Sequence, residues 1–380
     1  MNSFMVPPTI HHGEGALEEL KNLTGERAVL VTGGSSMKKF GFLAEAEALL
    51  AEAKLETMIV DGVEPNPSVK TIERGKKVML DFKPDWVIAI GGGSALDAAK
   101  IMWAFYEYPE LKFDEIIAVG SMPKLRRKAK FVAIPSTSGT ASEITAFSVV
   151  TDTEKKIKYP IVSPEIIPDI AIVDPKIPAT MPAHITANTG MDVLAHAVEA
   201  YVSTAATDYT DPLALKAIKL VFEYLPKAYA DGKDLTAREE MHNASTLAGM
   251  AFSNASLGII HSLAHKIGGE LHVTHGLANA ILLPYVIEYN AATAPERYRE
   301  IEEFLGIDNL ADAIRELNKK LAIKPSFQAI DWLDYTDADF EAILVRMAKN
   351  ALADPCTLTN PRQPEATDLE KIYQQSYYGL

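Results

Sequence analysis

The chain has a single cysteine, Cys356, among 380 residues. No internal disulfide can form, and the usage fits a reducing cytoplasm. Basic residues are the minority: 37 Lys and Arg against 51 Asp and Glu, a net charge of −14. An acidic protein of this kind is a poor binder of nucleic acid, whose affinity rests on phosphate neutralisation. The only basic cluster, KLRRKAK at 124–130, reads as a solvated loop before a strand. No apolar run reaches the roughly 20 residues that a membrane helix needs. The first residues, MNSFMVPPTIHHG, lack the charged start and long apolar core of a signal peptide, so a cytoplasmic location is expected. Also missing is the dinucleotide fingerprint G-x-G-x-x-G, because Leu96 stands where its third glycine would be.

What remains is informative. A length of 380 residues allows two domains with full cores, and a hydrophobic fraction of 48% is ordinary for a globular protein. Residues 1–180 alternate β-rich runs with helical ones. RAVLVTGG, LETMIVDGV, DWVIAIGGGS and KFVAIPST read as strands. GFLAEAEALLAEA, SVKTIERGKKVMLDF and ALDAAKIMWAFYEY read as helices. Such alternation predicts a Rossmann-like α/β domain, a parallel sheet with helices on both faces, binding ligands beyond the carboxyl ends of its strands. After Pro175, Pro178 and Pro182 the pattern turns helical, and 181–380 reads as an all-α domain.

Three loops follow strands in the first half. Gly91-Gly92-Gly93-Ser94 opens a helix, where close backbone approach and free N–H donors suit a pyrophosphate. A glycine run after a strand is as often only a tight turn, and Asp97 can cap or pair nearby. The segment IPSTSGTASE at 134–143 packs five hydroxyl side chains into ten residues, suited to a phosphate or a carboxamide, or simply to capping a helix. The third loop, Thr32-Gly33-Gly34-Ser35-Ser36-Met37-Lys38-Lys39, carries no acid at the strand end. Many NAD sites place a carboxylate there for the ribose 2′-hydroxyl. Small residues, serines and lysines would accept a 2′-phosphate instead, which favours NADP(H); alternatively the lysines are only solvated.

In the second half, Asp192 and His196 lie four residues apart on one helix face. Four of the nine histidines (His261, His265, His272, His275) fall in one short apolar stretch. One carboxylate and three imidazoles would bind Fe(II) or Zn(II) and leave room for a water or substrate oxygen. Spacing alone does not say which histidines bind. His261 and His265 share a helix face, and His272 and His275 flank a bend.

Taken together, VEPNPS (63–68), GGGSALD (91–97), IPSTSGTASE, TGMDVLAHAVEAY (189–201), HSLAHKIGGELHVTHG (261–276) and CTLTNPR (356–362) resemble the iron-containing (group III) alcohol dehydrogenases over nearly the whole length. The last five resemble especially the alcohol dehydrogenase half of bifunctional aldehyde–alcohol dehydrogenases. VTGGSSMKKFG (31–41) resembles the NADPH-preferring butanol dehydrogenases. The resemblance implies the dehydroquinate synthase-like fold of that family, with Asp192, His196, His261 and His275 holding the metal. It implies His265 as a proton relay or substrate contact, and His272 as a position the family varies. Gly92, Gly93, Ser94 and Asp97 would cradle the pyrophosphate, with Asn66 nearby. Thr137, Ser138 and Lys158 would meet the nicotinamide side, and Gly33, Ser35 and Ser36 the 2′-phosphate. Phe147, Phe252 and Cys356 would wall the pocket. Ala141 departs from the family's usual glycine, and Gly33 from the acid of NAD-preferring members.

The implied activity is hydride transfer between NADP(H) and a short-chain primary alcohol or aldehyde, in a cleft between the two halves. A homodimer or larger assembly, paired through an N-terminal strand around residues 4–10, is expected. The alternatives within the fold are a zinc, NAD-dependent enzyme like glycerol dehydrogenase and a lyase like dehydroquinate synthase, which bind metal with fewer histidines. A non-catalytic nucleotide- or metal-binding module is the remaining alternative.

Overall fold

Strands β2 (Arg27–Gly33), β4 (Trp86–Gly91) and β5 (Lys130–Pro135) are apolar at successive positions, and in a parallel sheet covered on both faces each residue has a core to enter. The computed structural model, which describes residues 3–155 and 157–380, shows this directly. Val29, Val31, Val87, Ala89, Phe131 and Ala133 pack into one apolar cluster, together with residues of α3 (Val69–Phe82) and α4 (Gly93–Glu107). Their sheet neighbours Ala28, Leu30, Trp86, Ile88, Ile90, Val132 and Ile134 enter the opposite cluster, with α2 (Phe42–Glu52) and a 3-10 turn at Ala16–Asn22. Each fully buried aliphatic side chain contributes about 1.5–3 kcal/mol, so the two layers hold the sheet from both sides.

The sheet has six strands in the order β1-β8-β5-β4-β2-β3, all parallel, with β1 (Thr9–His12) and β3 (Glu56–Val63) at its edges and β8 (Ile170–Val173) inside. A short helix, α1 (Ser36–Lys39), follows β2. An antiparallel hairpin of β6 (Phe147–Asp152) and β7 (Ile157–Val162) stands apart from the sheet, and the sequence pattern did not announce it. The N-terminal strand lies at Thr9–His12 rather than around residues 4–10.

The basic cluster is an exposed loop leading into β5 at Lys130, and its backbone is anchored from behind. Glu107 accepts the backbone N–H groups of Arg127, Lys128 and Ala129 at 2.7–2.9 Å. Arg126 donates to Asp169 and to the carbonyls of Glu165 and Ile167.

The chain divides into two compact units, one spanning Met5–Thr180 and the other containing Met181–Leu380. Among the described residues the second has no strand. Its helices are α5 (Ala183–Val202), α6 (Asp211–Ala230), α7 (Leu235–Ala255), α8 (Ile259–Glu270), α9 (His275–Ala291), α10 (Pro295–Leu305), α11 (Leu310–Lys320), α12 (Asp337–Leu352) and α13 (Ala366–Tyr378). Helix α5 is buried almost all round and packs on α6, α7 and α9. Small residues permit this. A Cβ on Gly190 would overlap Leu225 of α6, and one on Gly276 would overlap the Asn188 carbonyl of α5. The glycine after His275 therefore lets the start of α9 reach the backbone of α5, one turn before Asp192. No single helix among the described residues is long and apolar enough to cross a membrane.

Candidate functional site

Three helices bring together Asp192 from α5, His261 from α8 and His275 from the first position of α9, all with ligand atoms within 4.8 Å of one another. Asp192 Oδ1 lies 3.5 Å from His275 Nε2 and 3.9 Å from His261 Nε2. A tetrahedral ion with bonds of about 2.1 Å separates its ligand atoms by about 3.4 Å, so these atoms stand close to metal-binding distances. His196, one helical turn from Asp192, stacks on His261 with ring centroids 4.4 Å apart but is not in the three-atom group. Its Nδ1 is buried with no hydrogen-bond partner, which calls for a missing ligand or ion. Phe252 stacks on its other face at 4.3 Å.

The donor chemistry fits a cation. Burial lowers the pKa of both His196 and His261, leaving the neutral imidazoles that metals require. Asn279, fully buried on α9, donates Nδ2 to Asp192 Oδ1 at 2.7 Å and lies 3.3 Å from Nε2 of both His261 and His275. Three lone-pair atoms thus face one small volume. Behind His261, Glu199 places Oε2 2.5 Å from Nδ1, and burial pushes its carboxyl up to about 8.

His265, one turn along α8, is exposed, and its Nδ1 lies 3.0 Å from Asp354 Oδ2, which also accepts Lys266 Nζ at 2.8 Å. Burial opposes it, but these two partners hold the Asp354 carboxyl well below the usual carboxylate range. Burial pushes the neighbouring Cys356 thiol up. His272 is exposed in a left-handed turn between α8 and α9, away from the group. Sequence reading missed Glu199, Asn279 and Asp354. Glu199 follows Asp192 by seven residues and Asn279 follows His275 by four, spacings that put each on its ligand's helix face. Nothing local marks Asp354.

In the unit Met5–Thr180 the loops behave as one assembly. Gly92 caps α4, and Ser94 Oγ accepts the Asn66 N–H at 3.3 Å. A Cβ on Gly93 would lie 2.8 Å from Thr140, so glycine there lets two loops touch. Asp97 sits behind the cradle. Its Oδ1 accepts Ser142 Oγ at 2.7 Å and its Oδ2 the Val149 N–H at 2.9 Å. It ties the loops together. Ser138 is buried and Thr137 half-buried in the second loop, and a Cβ on Gly92 would meet Thr137 at 3.6 Å. Ala141 has φ +51, a left-handed conformation that glycine adopts more easily than alanine. Lys158 lies on β7 opposite Thr151. Gly33 ends β2, and a Cβ on it would meet the Val63 carbonyl at 2.8 Å. This leaves no room for an acid there without a backbone shift. Ser35 and Ser36 are exposed beside Lys38 and Lys39.

Residues 7–175 match the family described as iron-containing alcohol dehydrogenase, and 186–377 the C-terminal part of the Fe-containing alcohol dehydrogenase family. The chain is 49% identical to an NADPH-dependent butanol dehydrogenase of Clostridium saccharobutylicum, covering 100% of this chain and 99% of that protein. It is 42% identical to an aldehyde-alcohol dehydrogenase of Streptococcus pneumoniae, covering 100% of this chain but 46% of that longer protein. The structure of an iron-containing alcohol dehydrogenase from Thermococcus thioreducens superposes with a TM-score of 0.92 at 38% identity, over the whole of both chains. With both halves matched and the fold shared end to end, this chain belongs to the iron-containing alcohol dehydrogenase family.

Proposed function

We infer that this alcohol dehydrogenase interconverts short-chain primary alcohols and aldehydes, of the size of butanol or propanediol, with NADP(H) in preference to NAD(H). The observation that carries the reading is the convergence of Asp192, His261 and His275 beside the unpartnered Nδ1 of His196. These four residues would hold Fe(II), and Zn(II) suits the same donors. When bound, the ion supplies Lewis acidity at the substrate oxygen, and the nicotinamide supplies or takes up hydride.

The chain's own residues do the placing. Buried neutral imidazoles keep their lone pairs for the ion. Phe252 and Cys356 are read as apolar walls. His265, held through Nδ1 by Asp354 and open to solvent, would carry the alcohol proton outward. Gly92, Gly93 and Ser94, braced by Asp97 and Asn66, are read as the pyrophosphate cradle, with Thr137, Ser138 and Lys158 toward the nicotinamide. Gly33, Ser35 and Ser36 would receive the 2′-phosphate. The 49%-identical relative is itself NADPH-dependent, and the closed-off Cβ position of Gly33 agrees with the missing acid. The division of labour is nucleotide on residues 1–180 and metal on 181–380. A homodimer in the cytoplasm is the expected form, with the edge strand β1 available for pairing.

The direct test strips the metal, restores Fe(II) or Zn(II) without oxygen, and follows NADPH and NADH absorbance with butanal. Metal-dependent oxidation, faster with NADPH, is the expected result. Silence with both metals and both cofactors would overturn the reading. Ser35→Asp adds a charge where the 2′-phosphate is placed. Like-charge contact is costly, so KM for NADPH should rise by about tenfold or more while KM for NADH stays nearly unchanged. An equal change for both cofactors would place the 2′-phosphate elsewhere.

A further inference from the structure

The first turn of α8 has no side-chain cap of its own. Its N–H groups must therefore be met from elsewhere. Two buried acceptors reach it from distant parts of the chain. Glu199 Oε1, from α5, accepts the Ile260 N–H at 2.6 Å. Asn360 Oδ1, from the C-terminal tail, accepts the Ile259 N–H at 3.3 Å. Asn360 is itself clamped, exchanging hydrogen bonds with the Asn290 amide at 2.8 and 3.0 Å and donating to the Arg362 carbonyl at 2.6 Å. The fit leaves no slack: a Cβ on Gly258 would lie 2.8 Å from both Asn360 Oδ1 and Glu199 Oε1.

The second oxygen of Glu199 is spent differently. Oε2 lies 2.5 Å from Nδ1 of His261, whose Nε2 faces Asp192. We propose that Glu199 is the positioning residue of the metal centre: one oxygen fixes the start of α8, and the other shares a single proton with Nδ1 of His261, a proton that rests on the ring when an ion takes the Nε2 lone pair. The His261 ring is buried against this carboxylate, so water cannot set the tautomer in its place. A carboxylate behind a ligating histidine fixes both ring orientation and tautomer, and its loss typically costs 10–100-fold in metal affinity. The tail serves the same end at one remove, because Asn360 seats the neighbouring peptide of the same turn.

The inference rests on the metal reading above, and Glu199→Gln tests it separately. Glutamine can still accept the Ile260 N–H, so α8 keeps that cap. Its amide nitrogen then faces Nδ1 as a donor and drives the ring proton to Nε2, where the ion must bind. Chelator competition with Zn(II) should show affinity falling about 10–100-fold, with far-UV circular dichroism unchanged. At saturating metal, kcat should recover most of its wild-type value. Equal affinity in wild type and variant would overturn the positioning role while leaving the metal site standing. A wild type that retains no ion would instead sink the metal reading itself. Should the variant fail to fold, the wild-type protein answers alone. Nitrogen-15 histidine spectra of the Zn(II)-loaded enzyme should show His261 protonated at Nδ1, and an Nε2–H signal for that ring would overturn the proposal.

Discussion

Replacing His261 with alanine is expected to remove metal and activity together. The residue supplies one of three ligand atoms that lie within 4.8 Å of one another, and the fourth candidate, His196, stacks on its ring. The truncation deletes a ligand and leaves the buried His196 without that packing partner. Glu199 Oε2 would also lose its imidazole partner. Lewis-acid stabilisation supplies several kcal/mol of the barrier lowering, so turnover should fall on the order of 10³-fold or more. Metal content by atomic spectroscopy and steady-state kinetics check this. A variant that keeps stoichiometric metal and loses only turnover would remove His261 from the ligand set.

The second large effect is expected at Lys100→Met, far from the metal ligands in sequence. Lys100 is fully buried in α4, and its ammonium donates to the carbonyls of Thr145 and Phe147, both at 2.8 Å. It is also the cation that faces the buried carboxylates Asp97 and Glu143. Methionine matches the stem but removes the donor to both carbonyls and the positive charge that faces both acids. Removing one partner of a buried charge group costs about 3–5 kcal/mol, and a urea unfolding curve should show a loss of that order. Because the same carbonyls hold the segment after the 134–143 loop, nucleotide KM should rise as well. Burial lowers the Lys100 pKa to about 8 from its ordinary 10.5. Between those values the unfolded chain binds more protons, so wild-type stability gains a component that rises with pH. The variant should lack it. A variant as stable as wild type would show that Asp97 and Glu143 do not depend on Lys100.

Much of this architecture is legible in local pattern. β2, β4 and β5 are long enough and apolar enough to declare themselves, and the glycines after β2 and β4 mark the strand ends where a ligand can approach. The helices of the second half follow from their apolar spacing. β1 and β8 are four residues each and carry too few positions for any period to show. β6 and β7 pair with each other rather than with the sheet, and β7 is largely exposed, so alternation against a core is weak there. The basic cluster is exposed as its charge suggests, and only the carbonyls that anchor Arg126 and Lys128 depend on the fold.

The candidate site divides along the same line. A four-residue step on one helix is a fixed geometry, so the pairing of Asp192 with His196 on one face of α5 is legible in the sequence alone. Which histidines of the 261–275 stretch meet Asp192 depends on the turn between α8 and α9 and on how closely Gly276 lets α9 approach α5. Glu199 behind His261, Asn360 beneath the start of α8 and Asp354 beside His265 join through contacts 62 to 101 residues apart in the chain. Side-chain spacing within an element is set by the backbone's own period, while the meeting of elements is set by packing that no local pattern encodes.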